Sequence, residues 1–94
     1  MITVDREEFQ IKLDEINSLV SRKDYKGALE IINTIDWRKV RNVRTLCMVG
    51  EVYAANKKYS ESREIFLLAY HRSPVGKTIL YRLIEVSIKL NDFK

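Results

Sequence analysis

The fold is decided between residues 46 and 74: Leu46-Cys47-Met48-Val49-Gly50-Glu51-Val52-Tyr53, a polar turn at Asn56-Lys57-Lys58, then a second run through Ser62, Ile65, Phe66 and Ala69 to Ser73-Pro74. Leu46, Val49, Gly50 and Tyr53 recur at intervals of three and four, the spacing of one helix face. Ile65, Phe66 and Ala69 do the same on the second run. Pro74 ends that run, because it has no N–H and disfavours the helical conformation at Ser73. The spacing predicts two helices folded back on one another.

Working outward, helix signals continue in both directions. Asp5-Arg6-Glu7-Glu8 has the form of a capping box, and Phe9, Leu13, Ile16 and Val20 follow at helical spacing. That helix should end near Arg22-Lys23, where cations suit the negative end of the dipole. Asp24 is placed to cap a second helix over 25–35, with Ala28, Leu29, Ile32 and Ile35 on its inner face. A connector follows over 36–41, and Asn42 is placed to cap the third helix. A fifth helix is expected over about 76–90, carrying Leu80, Leu83 and Ile84. Only three glycines and one proline interrupt the chain, which favours helices over strands. The expected class is therefore all-α, with five helices.

The chain also repeats. Tyr25, Tyr59 and Phe93 stand 34 residues apart, each just after a polar turn, and the same offset pairs Leu19 with Tyr53, Ala28 with Ser62 and Ile32 with Phe66. A fixed period of two helices is the mark of stacked helical hairpins. The quoted stretch, Leu46-x2-Val49-Gly50-x2-Tyr53 with Ser62-x3-Phe66, Ala69 and Pro74, resembles the tetratricopeptide repeat (TPR) pattern W-x2-L-G-x2-Y, A-x3-F, A, P. Leu, Val and Ser replace the pattern's Trp, Leu and Ala, and the spacing is intact. In this family Gly50 would allow close helix approach, beside the small Ser62 and Ala69.

The resemblance implies a right-handed superhelical stack of antiparallel helix pairs. It spans one domain over 1–94: a first repeat over about 5–40, a second over 43–76, and the first helix of a truncated third over 77–94. In the first repeat, Lys12, Glu15 and Ile16 fall where the second has Leu46, Val49 and Gly50. A one-residue shift of the first helix restores apolar matches at Leu13, Ile16 and Val20.

The family implies a concave groove lined by the first helix of each pair. Opposite the core stripe, the third helix presents Arg44, Met48, Glu51 and Ala55, with Cys47 at the edge. The fifth presents Thr78, Arg82, Glu85 and Lys89, with Tyr81 at the edge. Arg44, Cys47, Met48, Glu51, Tyr81, Arg82 and Glu85 form the expected peptide-binding site, offering charge-assisted hydrogen bonds beside an adaptable thioether. The family's carboxylate clamp for chaperone tails falls on Leu13, Asn17, Met48, Thr78 and Arg82. Both clamp lysines are missing, so chaperone-tail binding is not expected.

The other function classes have weaker support. There is no phosphate-binding Gly loop, no His-Glu-x-x-His and no Cys-x-x-Cys, so no enzyme, metal or cofactor is expected. His71 reads as a helix-end residue and Cys47 as a small apolar one. The net charge of +4 and the cluster Arg38-Lys39-Val40-Arg41 raise the question of nucleic acid. No interleaved aromatics accompany the cluster except Trp37, and it reads as a solvated connector. No run is long enough to span a bilayer. The chain starts without a secretory signal, and Cys47 has no second cysteine to pair with. A cytoplasmic location is the expectation. The alternative reading is a structural segment that stacks on further repeats or pairs as a homodimer through Leu80, Leu83, Ile84 and Leu90 of the fifth helix. With the resemblance goes the expectation that the chain is the N-terminal part of a longer multi-repeat protein.

Overall fold

The computed structural model describes residues 6–73 and 77–91. Among them are five α-helices and no strand: α1 (Arg6–Ser21), α2 (Tyr25–Ile32), α3 (Val43–Ala55), α4 (Tyr59–Arg72) and α5 (Lys77–Asn91), with a 3-10 turn at Trp37–Lys39 before α3. The all-α expectation holds. None of these helices is long and apolar enough to cross a membrane. The chain packs as two compact units, Met1–Ile35 and Asp36–Lys94, dividing at the start of the connector that the sequence reading placed inside one domain.

In the first unit, α1 ends in a left-handed turn. Lys23 has φ 62°, the Lys23 N–H donates to Val20 O at 2.9 Å, and the Asp24 N–H donates to Leu19 O at 2.8 Å. This pair of bonds closes the last carbonyls of a helix. Asp24 then caps α2 as expected, its Oδ1 accepting from the Gly27 N–H at 3.0 Å. Ile16, Ala28 and Ile32 form the buried centre. The helix expected to reach residue 35 stops at Ile32. Thr34 Oγ1 donates to Ile31 O at 2.7 Å, so the side chain competes for a helical carbonyl. Asp36 Oδ1 accepts from the Arg38 N–H at 3.2 Å and starts the 3-10 turn instead. The capping box at Asp5, the stop at Pro74, the start at Gly76 and the repeat position Phe93 lie outside the described residues.

The second unit repeats the turn 34 residues on, bond for bond. Lys57 has φ 62°, the Lys57 N–H donates to Ala54 O at 2.9 Å, and the Lys58 N–H donates to Tyr53 O at 2.8 Å. Leu19 and Tyr53 are thus equivalent at the backbone. The end of α1 keeps the strict offset, and the one-residue shift is not present there. At that offset Ile16 and Ile32 take the places of Gly50 and Phe66. The motif is hard to read in the first repeat because a small–large pair has become two medium residues.

Asn42 caps α3, accepting from the Thr45 N–H at 3.1 Å. Leu46, Val49, Val52, Phe66 and Ala69 are buried between and around α3 and α4, and α5 adds Ile79, Leu83 and Val86. Tyr53, expected in the stripe, is half-buried, and burial followed by Glu61 and Glu64 raises its phenol pKa. A Cβ on Gly50 would lie 2.7 Å from Phe66 Cζ, so the close helix contact expected there is real. Ser62, the one buried polar residue among those described, donates from Oγ to Gly50 O at 2.7 Å and fixes the same contact. Trp37, read as part of a solvated connector, is instead 4% exposed. Arg72 closes that end of the unit, donating from Nη2 to Arg38 O at 3.0 Å.

Candidate functional site

The expected binding residues all lie in the second unit, on α3 and α5. These helices start from residues 34 apart, so Arg44, Cys47, Met48 and Glu51 recur in position as Thr78, Tyr81, Arg82 and Glu85. Both stripes face outward. Arg44, Glu51, Thr78, Tyr81 and Glu85 are exposed, while Cys47, Met48 and Arg82 are half-buried.

Arg82 is the centre of the arrangement. Its Nη2 lies 3.6 Å from Glu51 Oε2 on α3, and its Nη1 donates to Glu85 Oε1 on α5 at 3.3 Å. One guanidinium therefore links the two helices through two carboxylates. Its side chain is 44% exposed and those of Glu51 and Glu85 more so, so the pairs contribute little to stability and exchange readily with an incoming group. A guanidinium in this setting offers a flat, bidentate fork to a carboxylate.

Cys47 lies within the field of the same cluster. Burial pushes its thiol above the usual range, Glu51 pushes it further, and Arg82 pulls it back in part. A thiol so placed stays protonated near neutral pH and is a poor nucleophile. Arg44, Met48 and Tyr81 share these faces but add no hydrogen bond or ion pair to the cluster. The structure brings together Glu51, Arg82 and Glu85 directly and Cys47 electrostatically. His71 stands exposed in the last turn of α4, edge-on to the Tyr70 ring at a centroid distance of 6.5 Å. Among the described residues no group of three or more His, Cys, Asp or Glu is arranged to hold a metal ion.

The basic side chains of the connector are solvated as the sequence suggested, although Trp37 among them is not. Arg38, Lys39 and Arg41 are exposed, and Asp36 neutralises Arg38 at 3.1 Å. That contact, through its side-chain and backbone hydrogen bonds, also holds the Asp36 carboxyl below its ordinary value. Buried Trp37 has no free face for a base to stack on.

The expected association face needs correction. Leu83 is 8% exposed, a core residue of the unit and not a surface one, and Leu90 is half-buried. At 100° per residue Leu83 points with Ile79 and Val86 into the helix packing, about 60° from Leu80. The exposed apolar residues of α5 are Leu80, Tyr81, Ile84 and Ile88. Ile88 was missed, although it continues the spacing of four set by Leu80 and Ile84.

No family model, curated protein or solved structure matches the chain.

Proposed function

We propose that the chain is a TPR-like interaction module, a right-handed stack of helix pairs that binds a peptide segment across α3 and α5. The repeat reading is supported by the left-handed turns at Lys23 and Lys57, which match bond for bond at the 34-residue offset. The close Gly50–Phe66 contact supports it too. The observation that carries the binding reading is Arg82, held between Glu51 and Glu85 on an exposed face. A peptide carboxylate would take the guanidinium fork, while peptide N–H groups or a basic side chain would pair with the released glutamates. Half-buried Met48 and exposed Tyr81 would supply adaptable apolar contact beside the charges. A protonated Cys47 fits a binding face better than a catalytic one.

A peptide-display screen against the full chain, followed by titration of the selected peptide, tests the proposal. Arg82→Ala and Met48→Ala should weaken binding about tenfold each, equivalent to about 1.4 kcal/mol. Arg63→Ala on α4 and Glu30→Ala on α2, both exposed, should leave it unchanged. Equal effects at all four positions, or no specific peptide from the screen, would remove the proposal.

A further inference from the structure

One end of the second unit carries a concentration of charge that the sequence showed only in part. Arg38, Lys39 and Arg41 lie in the connector before α3, and Lys77 opens α5. Arg72, in the last turn of α4, donates from Nη2 to Arg38 O at 3.0 Å, which sets it against that connector. Lys77 follows Arg72 by five residues and so lies within about 18 Å of it, the full reach of that length of chain. All five are exposed. The two connectors, over 33–42 and 73–76, together with flanking Arg72 and Lys77, hold five of the chain's seventeen Lys and Arg. Of its thirteen acids they hold one, Asp36. Their four net positive charges equal the +4 of the whole chain, so the rest of the sequence is balanced.

Four of these cations are open to a ligand. Asp36 holds Arg38 at 3.1 Å, and Glu64 acts on Arg38 at longer range. Among the described residues no ion pair engages Lys39, Arg41, Arg72 or Lys77. Gathered cations without counter-charges repel one another and attract an anion of several charges. The character of the surface narrows the class of anion. None of the large exposed apolar residues of the described chain lies in these segments, and their one aromatic ring, Trp37, is 4% exposed. A protein interface is built around an apolar core. A single strand takes rings on which its bases stack, and a peripheral membrane site takes apolar side chains that insert. A duplex needs none of these, because its phosphates lie outermost and cations supply its affinity. Two of the four cations are arginines, whose planar fork matches phosphate oxygens.

We propose that this end of the second unit binds the phosphate backbone of double-stranded nucleic acid through Lys39, Arg41, Arg72 and Lys77, without reading its sequence. Asp36 tempers the site by neutralising Arg38. The surface uses no residue of the peptide face and does not rest on the peptide-binding proposal.

The test titrates the full chain into a fluorescently labelled duplex of about 20 base pairs, followed by anisotropy at several salt concentrations. Four phosphate contacts give a slope of about −3.6 in log K against log salt, a loss of roughly a hundredfold between about 50 and about 200 mM. Lys39→Gln, Arg41→Gln and Lys77→Gln should each weaken binding severalfold and reduce the slope by about 0.9. Asp36→Asn keeps an acceptor for the Arg38 N–H but frees its guanidinium, so it should strengthen binding and steepen the slope by a similar amount. The triple variant Lys39→Glu/Arg41→Glu/Lys77→Glu should abolish binding. Arg22→Glu/Lys57→Glu/Lys58→Glu, an equal change of net charge at exposed positions elsewhere, should retain most of it. Circular dichroism checks that both triple variants are folded. Equal losses in the two would show a response to net charge alone and overturn the site. Absence of salt-dependent binding, or no gain from Asp36→Asn, would overturn it as well. The unpaired strand, vesicles rich in anionic lipid and a polyglutamate peptide are titrated in parallel. Tighter binding to any of them than to the duplex would assign the surface to that class and overturn the proposal. Arg82→Ala should leave duplex binding unchanged, which separates failure here from failure at the peptide face.

Discussion

Gly50 is where the helix packing is most sharply tested, because two effects of opposite sign meet there. In an open helix, Gly→Ala stabilises by about 1 kcal/mol through backbone entropy. At Gly50 the new Cβ would lie 2.7, 2.8 and 2.9 Å from three ring atoms of Phe66. Carbon atoms prefer about 3.5–4.0 Å, so the ring must retreat by roughly 0.8 Å. Phe66 is 1% exposed and has no solvent to retreat into. Overpacking of this kind costs about 1–3 kcal/mol. The net expectation for Gly50→Ala is a loss of about 0–2 kcal/mol. For Gly50→Val, whose branched side chain brings two further carbons and a weaker helix propensity, the loss should be larger. Urea unfolding should be followed by fluorescence of Trp37, the sole tryptophan, buried in the same unit. Pairing Gly50→Ala with Phe66→Leu should relieve the clash, giving a coupling energy of about 0.5–3 kcal/mol in a double-mutant cycle. A Gly50→Ala protein more stable than the parent by the full propensity gain would refute the contact.

Three further predictions have definite signs. Lys57→Gly should raise stability by up to about 1 kcal/mol, because φ 62° strains a lysine and not a glycine, and Lys23→Gly should do the same; a lowered urea midpoint would contradict it. Asn42→Ala should cost about 1 kcal/mol by removing the acceptor for the Thr45 N–H, while Asn42→Asp should keep most of it, as read from thermal melts. Alkylation of Cys47 at mildly alkaline pH should be slower than that of a free thiol, since burial and Glu51 raise its pKa. Removing the raising charge with Glu51→Gln should shift the rate–pH profile to lower pH, and removing the lowering charge with Arg82→Ala should shift it higher; shifts in the same direction would show that the charges do not act on the thiol.

The sequence by itself determined what depends on neighbours along the chain. Asp24 and Asn42 were legible as caps because a cap needs only a short side chain beside the first N–H groups. The helices α3 and α4 followed from the spacing of Leu46, Val49, Phe66 and Ala69, and the break between them from the polar turn at Asn56-Lys57-Lys58. The 34-residue period, read from Tyr25 and Tyr59, reappears as matching hydrogen bonds at Lys23 and Lys57. The outward stripe holding Glu51, Arg82 and Glu85 was also legible, since helical angle alone sets it. Only the tertiary structure decided which apolar residues of α5 are covered. Leu80, Leu83, Ile84 and Ile88 are alike in type, and burial of Leu83 alone among them depends on where α4 lies. The same holds for Trp37, which is buried although its neighbours Arg38 and Lys39 are exposed. Arg82 could be placed on a face from sequence, but its bridge to Glu51 needed two helices side by side. Periodicity gives the direction of a side chain from its own axis; only packing brings the second axis that covers it.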